Sequence, residues 1–314
     1  MTAHGSERDS AAPPPVEPSP AASSTAAPAP LDPSRAAHQD GLPDDDHPRR
    51  PFALDTDGPV GVLVLHGFTG STYSVRDWAL ALHETGCGVS VPALPGHTST
   101  WHELAETTWQ HWYDEALAAL RELQIRHERV VVAGFSMGGA VALRLAEREA
   151  VDGVIVLNPA LALRRRTSVL ASSLRRVLPT TAAAGDDISI PGATEHSYDR
   201  TPTAGVAQLN LLMREVRRHL GRIGAPVLVL RSRQDHVVAP AAHQSILEGC
   251  TGPVEVLALP ESFHVATLDR EAQVIQDRSR RFVEAVRAGV CPLTGVPLAA
   301  ASPASGGAGA GGLR

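Results

Sequence analysis

From residue 58 onward, short apolar runs alternate with stretches in which apolar side chains return every three or four positions. The runs at Val60–Leu65 and Gly88–Val91, and at 130–133, 151–157, 226–230 and 254–257, have the length and β-branched content of buried strands. Amphipathic segments lie between them. One spans 75–84 and is closed by Gly86. Another begins at Trp109 and puts Trp112, Tyr113, Ala116, Leu117, Leu120 and Leu123 on one helical face. Further helical patterns follow residue 139 and cover 241–247 and 270–287. Strand and helix in alternation predict an α/β fold, a mostly parallel central sheet flanked by helices.

The rhythm breaks at 161–222. Here Val169, Leu170, Leu174, Val177 and Leu178, then Val206, Leu209, Leu212, Met213 and Val216, mark helices with no strand between them. A turn-rich stretch at 180–203 separates the two groups, and the whole segment is expected to be an inserted helical cap over the sheet. Its apolar side chains suit packing of cap on core and contact with an apolar ligand equally well. Residues 1–57 are dominated by Ala, Pro, Ser and Asp, and 292–314 by Ala, Gly and Ser. Neither flank has the large apolar side chains needed to offset the entropy of ordering, so both are expected to be disordered, leaving one domain over 58–291.

A net charge of −6 and a pI near 6.1 leave no electrostatic footprint for nucleic acid or an anionic membrane. The run Arg164-Arg165-Arg166 is the local exception, read as a solvated helix face or loop, with a substrate or lipid-surface contact as the alternative. Three cysteines, Cys87, Cys250 and Cys291, are too few and too scattered for a disulfide framework or a metal site. They fit a reducing compartment. The N-terminus lacks the apolar core of a secretory signal and no apolar stretch reaches the ~18 residues of a membrane span, so a cytoplasmic location is expected.

Chemistry enters at Gly134-Phe135-Ser136-Met137-Gly138-Gly139, a Gly-x-Ser-x-Gly pattern between an apolar run and a helical one. A serine on such a sharp strand-to-helix turn is held out of the chain with its hydroxyl exposed, which makes Ser136 the candidate nucleophile. A serine hydroxyl is a weak nucleophile and needs a histidine to take its proton and a carboxylate to orient that histidine. Asp235 lies on the loop that follows the strand at 226–230, while Asp152 precedes its strand and falls at the wrong edge. Of fourteen histidines, His264, after the strand at 254–257, has the right place and order. His236 and His243 sit beside Asp235 or in the next helix, and His66 and His97 read as support for neighbouring turns. Two amides are expected to hold a developing oxyanion: Met137, directly after the nucleophile, and Phe68 in the turn His66-Gly67-Phe68-Thr69-Gly70. No spacing of His, Cys, Asp and Glu suggests a metal, and this chemistry requires no cofactor.

These segments, together with Tyr198-Asp199-Arg200-Thr201-Pro202-Thr203, Asp235-His236-Val237-Val238 and His264-Val265-Ala266-Thr267-Leu268-Asp269, resemble the bacterial monoacylglycerol lipases and the related carboxylesterases of the α/β-hydrolase superfamily. The resemblance runs from about 58 to 288 and includes the cap. It implies an α/β-hydrolase fold, hydrolysis of monoacylglycerol to glycerol and fatty acid, Ser136, Asp235 and His264 as the triad, and the Phe68 and Met137 amides as the oxyanion hole. It also implies a glycerol-binding role for Glu195, three positions before Tyr198; the alternative is an exposed cap carboxylate. Thr98 stands where the family usually has glycine, and Phe135 replaces a small or aliphatic residue. The expected partner is a small acyl ester, with transient lipid-surface contact through the cap and no nucleic acid. A general short-to-medium-chain carboxylesterase uses the same residues, and a non-catalytic lipid-binding homologue is the reading from another class.

Overall fold

The computed structural model describes residues 1, 48–164, 170–174, 178–183 and 185–298. The chain begins with β1 (Phe52–Leu54), β2 (Val60–Leu65), α1 (Arg76–His83), β3 (Gly88–Val91), α2 (Trp101–Glu106) and α3 (Trp109–Arg126). It continues through β4 (Arg129–Phe135), α4 (Met137–Ala146), β5 (Gly153–Leu157), α5 (Ala171–Leu174), β6 (Thr180–Ala182), β7 (Arg200–Pro202) and α6 (Thr203–His219). It closes with β8 (Val227–Ser232), α7 (Ala241–Gly249), β9 (Val254–Leu259) and α8 (Ala272–Arg287). All of these belong to the compact unit His38–Arg314.

Seven strands form one sheet in the order β1-β3-β2-β4-β5-β8-β9, every pair parallel except β1 with β3. Helices cover both faces, so the central strands are buried on both sides and read as unbroken apolar runs. Side chains alternate between two cores. Leu63, Val132, Val154 and Val229 face the layer of α3, α4, α6 and α7. The register Val64↔Ala133↔Ile155↔Leu228 carries a continuous apolar row across the opposite face, where α1 and α8 pack. There the buried Trp78 indole donates to Ser279 Oγ at 2.9 Å, tying α1 to α8 and satisfying the one polar atom that its burial strands. Because β3 and β4 flank β2, the chain's progress across the sheet reverses there, which opens a crevice beyond the carboxyl ends of β2 and β4.

Sequence and structure part company at three places. The flank expected to be disordered over 1–57 contains β1, and Phe52 and Leu54 are buried in the core as an antiparallel edge strand. Three residues among prolines and acids carry no periodic signal, so only pairing with β3 orders them. The tail expected from 292 begins later: Cys291 N–H donates to Val296 O at 2.7 Å, and Leu293 and Leu298 pack on the core. Residues 2–47 and 299–314, which held the rest of both expectations, lie outside the described residues, as do Arg165, Arg166, Val169 and Val177. Within the expected cap at 161–222, α5 and α6 are joined by an antiparallel pair, β6 with β7, that helical periodicity gave no sign of. The whole of 158–226 is one excursion, since β5 and β8 are neighbours in the sheet. Among the described residues no helix is long and apolar enough to cross a membrane.

Candidate active site

Ser136 is the single residue between β4 and α4, and it holds φ 53° and ψ −115°. That conformation is costly for a residue with a side chain, on the order of 1–3 kcal/mol, and it persists because the neighbourhood enforces it. Ser136 N–H donates to Leu157 O at 2.9 Å, and its carbonyl accepts from Ala160 N–H at 2.9 Å. The glycines on either side permit the turn: a Cβ on Gly134 would stand 2.3 Å from Gly138 O, and one on Gly138 would stand 2.2 Å from Leu65 O.

Two loops at the same sheet edge meet this serine. Asp235 follows β8, and His264 follows β9. His264 Nε2 lies 2.9 Å from Ser136 Oγ, and His264 Nδ1 lies 2.8 Å from Asp235 Oδ2. The other Asp235 oxygen accepts from the Val237 and Val238 amides at 2.8 and 2.7 Å. The Asp235 Oδ2 contact fixes the Nδ1–H tautomer of His264, because a carboxylate offers only acceptors. All three side chains are buried. Burial by itself would raise the Asp235 carboxyl; the His264 charge and the hydrogen bonds overcome it and hold the group below its usual value. Burial would likewise lower His264, but the Asp235 charge and hydrogen bond, with Glu195 and Asp187 behind them, leave it raised.

The turn after β2 brings Phe68 to the same edge. His66 is fully buried, its Nδ1 lying 3.0 Å from Gly67 O while its Nε2 accepts from Leu94 N–H at 3.1 Å. Burial lowers its pKa to about 4, so the ring stays neutral and its two hydrogen bonds hold the turn in place. Phe68 packs against His97 and Trp112, and its ring would clash with any side chain at Gly205 on α6. Met137 is the first residue of α4, whose initial amides have no intrahelical acceptor. Neither the Phe68 nor the Met137 N–H donates to another described residue.

Glu195 is not the exposed cap carboxylate that was its alternative: it is 4% exposed. Its Oε1 accepts from Asp186 N–H at 3.3 Å, its own N–H donates to Asp186 Oδ1 at 2.7 Å, and its Oε2 reaches to 3.3 Å from where a Cβ would stand on Gly70. Burial pushes this carboxyl up to about 7 despite the lowering influence of His264. Tyr198 fastens the same segment to the core, its N–H donating to Thr69 O at 3.2 Å and its hydroxyl to Gly96 O at 2.8 Å.

Three features were not anticipated. Asn158, at the end of β5 with φ 44°, donates to the His264 carbonyl at 2.7 Å; an Asn before Pro159 at a strand end was the available sign. Asp187 accepts from the backbone of both His236 and His264, and nothing in its sequence neighbourhood marks it. The Phe135 ring lies tilted against the His264 ring, with centroids 5.1 Å apart. Asp152, rejected from the sequence, binds Arg129 and the Val130 amide at the opposite edge of the sheet.

With this geometry stand four similarities. A family model described as serine aminopeptidase, S33 matches residues 60–271. A thermostable monoacylglycerol lipase of Bacillus sp. (strain H-257) is 35% identical over 72% of this chain and 90% of the relative, and a carboxylesterase of Bacillus subtilis (strain 168) is 25% identical over 72% and 93%. A solved structure from a study of LipS and LipT, two metagenome-derived lipolytic enzymes, superposes with a TM-score of 0.73 at 33% identity, over 75% of this chain and 97% of that one.

Proposed function

The chain belongs to the serine aminopeptidase S33 family of hydrolases, and on that premise we propose that it cleaves monoacylglycerols to glycerol and fatty acid through an acyl-enzyme on Ser136. The observation that carries the reading is the unbroken hydrogen-bonded chain from Ser136 Oγ through His264 to Asp235, on three loops at one sheet edge. Both curated relatives are named for ester cleavage, which favours an ester over a peptide as the acyl donor.

In this mechanism His264 Nε2 takes the Ser136 proton as Oγ bonds to the acyl carbon, and Asp235 stabilises the imidazolium. The tetrahedral oxyanion accepts from the Phe68 and Met137 amides; one such donor is worth about 10²–10³ in rate. His264 passes its proton to the departing glycerol oxygen as the C–O bond breaks. A water then gives a proton to His264 and its oxygen to the acyl carbon; as the Ser136 Oγ–acyl bond breaks, His264 returns that proton to Oγ, which releases the fatty acid and restores Ser136. Glu195 accepts hydrogen bonds from the glycerol hydroxyls, a role supported by its burial beside Gly70 and within the influence of His264. The cap exposes Leu170, Leu178, Ile190 and Leu211, which supports transient contact with a lipid surface. A reducing, cytoplasmic setting is part of the same reading and rests on the free thiols of Cys87, Cys250 and Cys291.

The test is covalent. A long-chain alkyl phosphonate ester is expected to add once, at Ser136, and to abolish turnover of monoacylglycerol in proportion. Labelling at another residue, or full turnover after Ser136 is blocked, would overturn the proposal.

A further inference from the structure

Asp187 has no place in the mechanism above, yet it touches both loops on which that mechanism depends. Its Oδ2 accepts from the backbone N–H of His236, next to Asp235, at 3.1 Å, and from the backbone N–H of His264 at 3.1 Å. Its Oδ1 lies 2.8 Å from His236 Nδ1, and its carbonyl accepts from Val265 N–H at 3.0 Å. Two residues on, Ser189 donates both N–H and hydroxyl to Asp269, whose carboxylate also accepts from Phe263 N–H at 2.9 Å. The segment after β6 therefore clasps the His264 loop from two sides.

We propose that Asp187 is a positioning residue for the hydrolysis, clamping the Asp235 loop to the His264 loop and placing a second fixed negative charge behind the imidazole. This rests on the reading of Ser136, His264 and Asp235 as the triad. Loops at the ends of two different strands have no covalent reason to keep a common register, and a difference of an ångström between them would lengthen the Asp235–His264 bond. One carboxylate accepting from both backbones couples the two positions directly. Its charge acts in the same direction as that of Asp235. The charged or titratable groups facing His264 are Asp235 from the loop after β8 and Glu195 and Asp187 from the cap segment, all acidic, with Ser136 Oγ on the other ring nitrogen. Facing Asp187 in turn is the His236 ring, 61% exposed at its side chain, with Nδ1 2.8 Å from Asp187 Oδ1.

Removing the Asp187 charge should therefore move the titration of His264, which a merely structural contact would not produce. The measurement is the pH profile of kcat/KM on a fatty acid ethyl ester for the full chain and for Asp187→Asn and Asp187→Ser. Asn keeps the size of Asp and an oxygen that can accept from both amides, but removes the charge. Asp187→Asn is expected to move the acid limb to lower pH by about half a unit or more, with kcat reduced and KM little changed. Asp187→Ser, which also removes the charge, is expected to move the same limb in the same direction. An acid limb in the wild-type position in Asp187→Asn overturns the proposal, whether or not kcat falls. If that variant does not fold, Asp187→Ser decides alone: a downward shift supports the proposal, and an unmoved or upward limb overturns it. Ser136→Ala separates this from the premise. Inactivity there with an unmoved limb in Asp187→Asn sinks only the role of Asp187, whereas wild-type turnover in Ser136→Ala removes the triad reading and the clamp with it.

Discussion

Asn158 holds the loop of His264 from beneath: its side-chain NH2 donates to the His264 carbonyl at 2.7 Å, while its oxygen accepts from Ser232 N–H at 2.8 Å. One buried amide thus spans the ends of β5 and β8 and the segment after β9. Asn158→Ala leaves a buried carbonyl and a buried N–H without partners, at about 1–3 kcal/mol each. The expected result in urea unfolding is a loss of about 2 kcal/mol or more. A variant as stable as the wild type would mean that water takes over both bonds.

The pair Asp235 and His264, as the proposed base and its partner, is expected to make both activity and stability depend on pH. The base must be neutral, and its pKa is raised above 6.5, so kcat/KM is expected to climb with pH around a midpoint above that value. A raised histidine contributes stability that is complete below 6.5 and is lost as pH rises through its folded pKa. A lowered aspartate contributes stability that is present above 3.8 and is lost as pH falls through its folded pKa. Their joint contribution is therefore fullest between 3.8 and 6.5. Unfolding measured across that range in wild type and His264→Gln, with the difference peaking there, checks the sign.

Glu195, with its carboxyl pushed up to about 7, gains its charge as pH rises through that value, and a carboxylate accepts hydrogen bonds from hydroxyls more strongly than a carboxyl does. The preference for a monoacylglycerol over an ethyl ester of the same acid is expected to grow as pH passes through that value. In Glu195→Gln that growth should disappear, with KM for the glyceride raised. A preference that is flat with pH in the wild type would count against the glycerol role.

Thr98 adopts φ 69°, a conformation costly for a β-branched residue, at the position where the resembled family usually carries glycine. Thr98→Gly removes that strain at some cost in chain entropy, and a net gain of about 1 kcal/mol in unfolding free energy is expected. A loss would mean that the threonine side chain makes a compensating contact.

What was legible in the sequence is what local physics dictates. The strand before Ser136 announces itself as an apolar run and the helix after it by period, and the glycines flanking the serine by their Gly-x-Ser-x-Gly spacing. The order of Ser136, Asp235 and His264 was legible too, because each follows an apolar run at the same end. Phe52–Leu54 was not, because three residues have no period and gain their order from β3 alone. The burial of Glu195 was hidden for a similar reason: a carboxylate in a polar stretch reads as exposed, and only its exchange of hydrogen bonds with Asp186 brings it inside. Asp187 and Asn158 act on residues distant in the chain, and such contacts leave no mark on local composition.

The most direct test of the central claim is the ratio of kcat/KM for a monoacylglycerol to that for the ethyl ester of the same fatty acid, with Ser136→Ala as the blank. A clear preference for the glyceride that vanishes in the blank is the predicted result. Equal rates on the two esters would contradict monoacylglycerol as the substrate, and no turnover of either would contradict an ester hydrolase altogether.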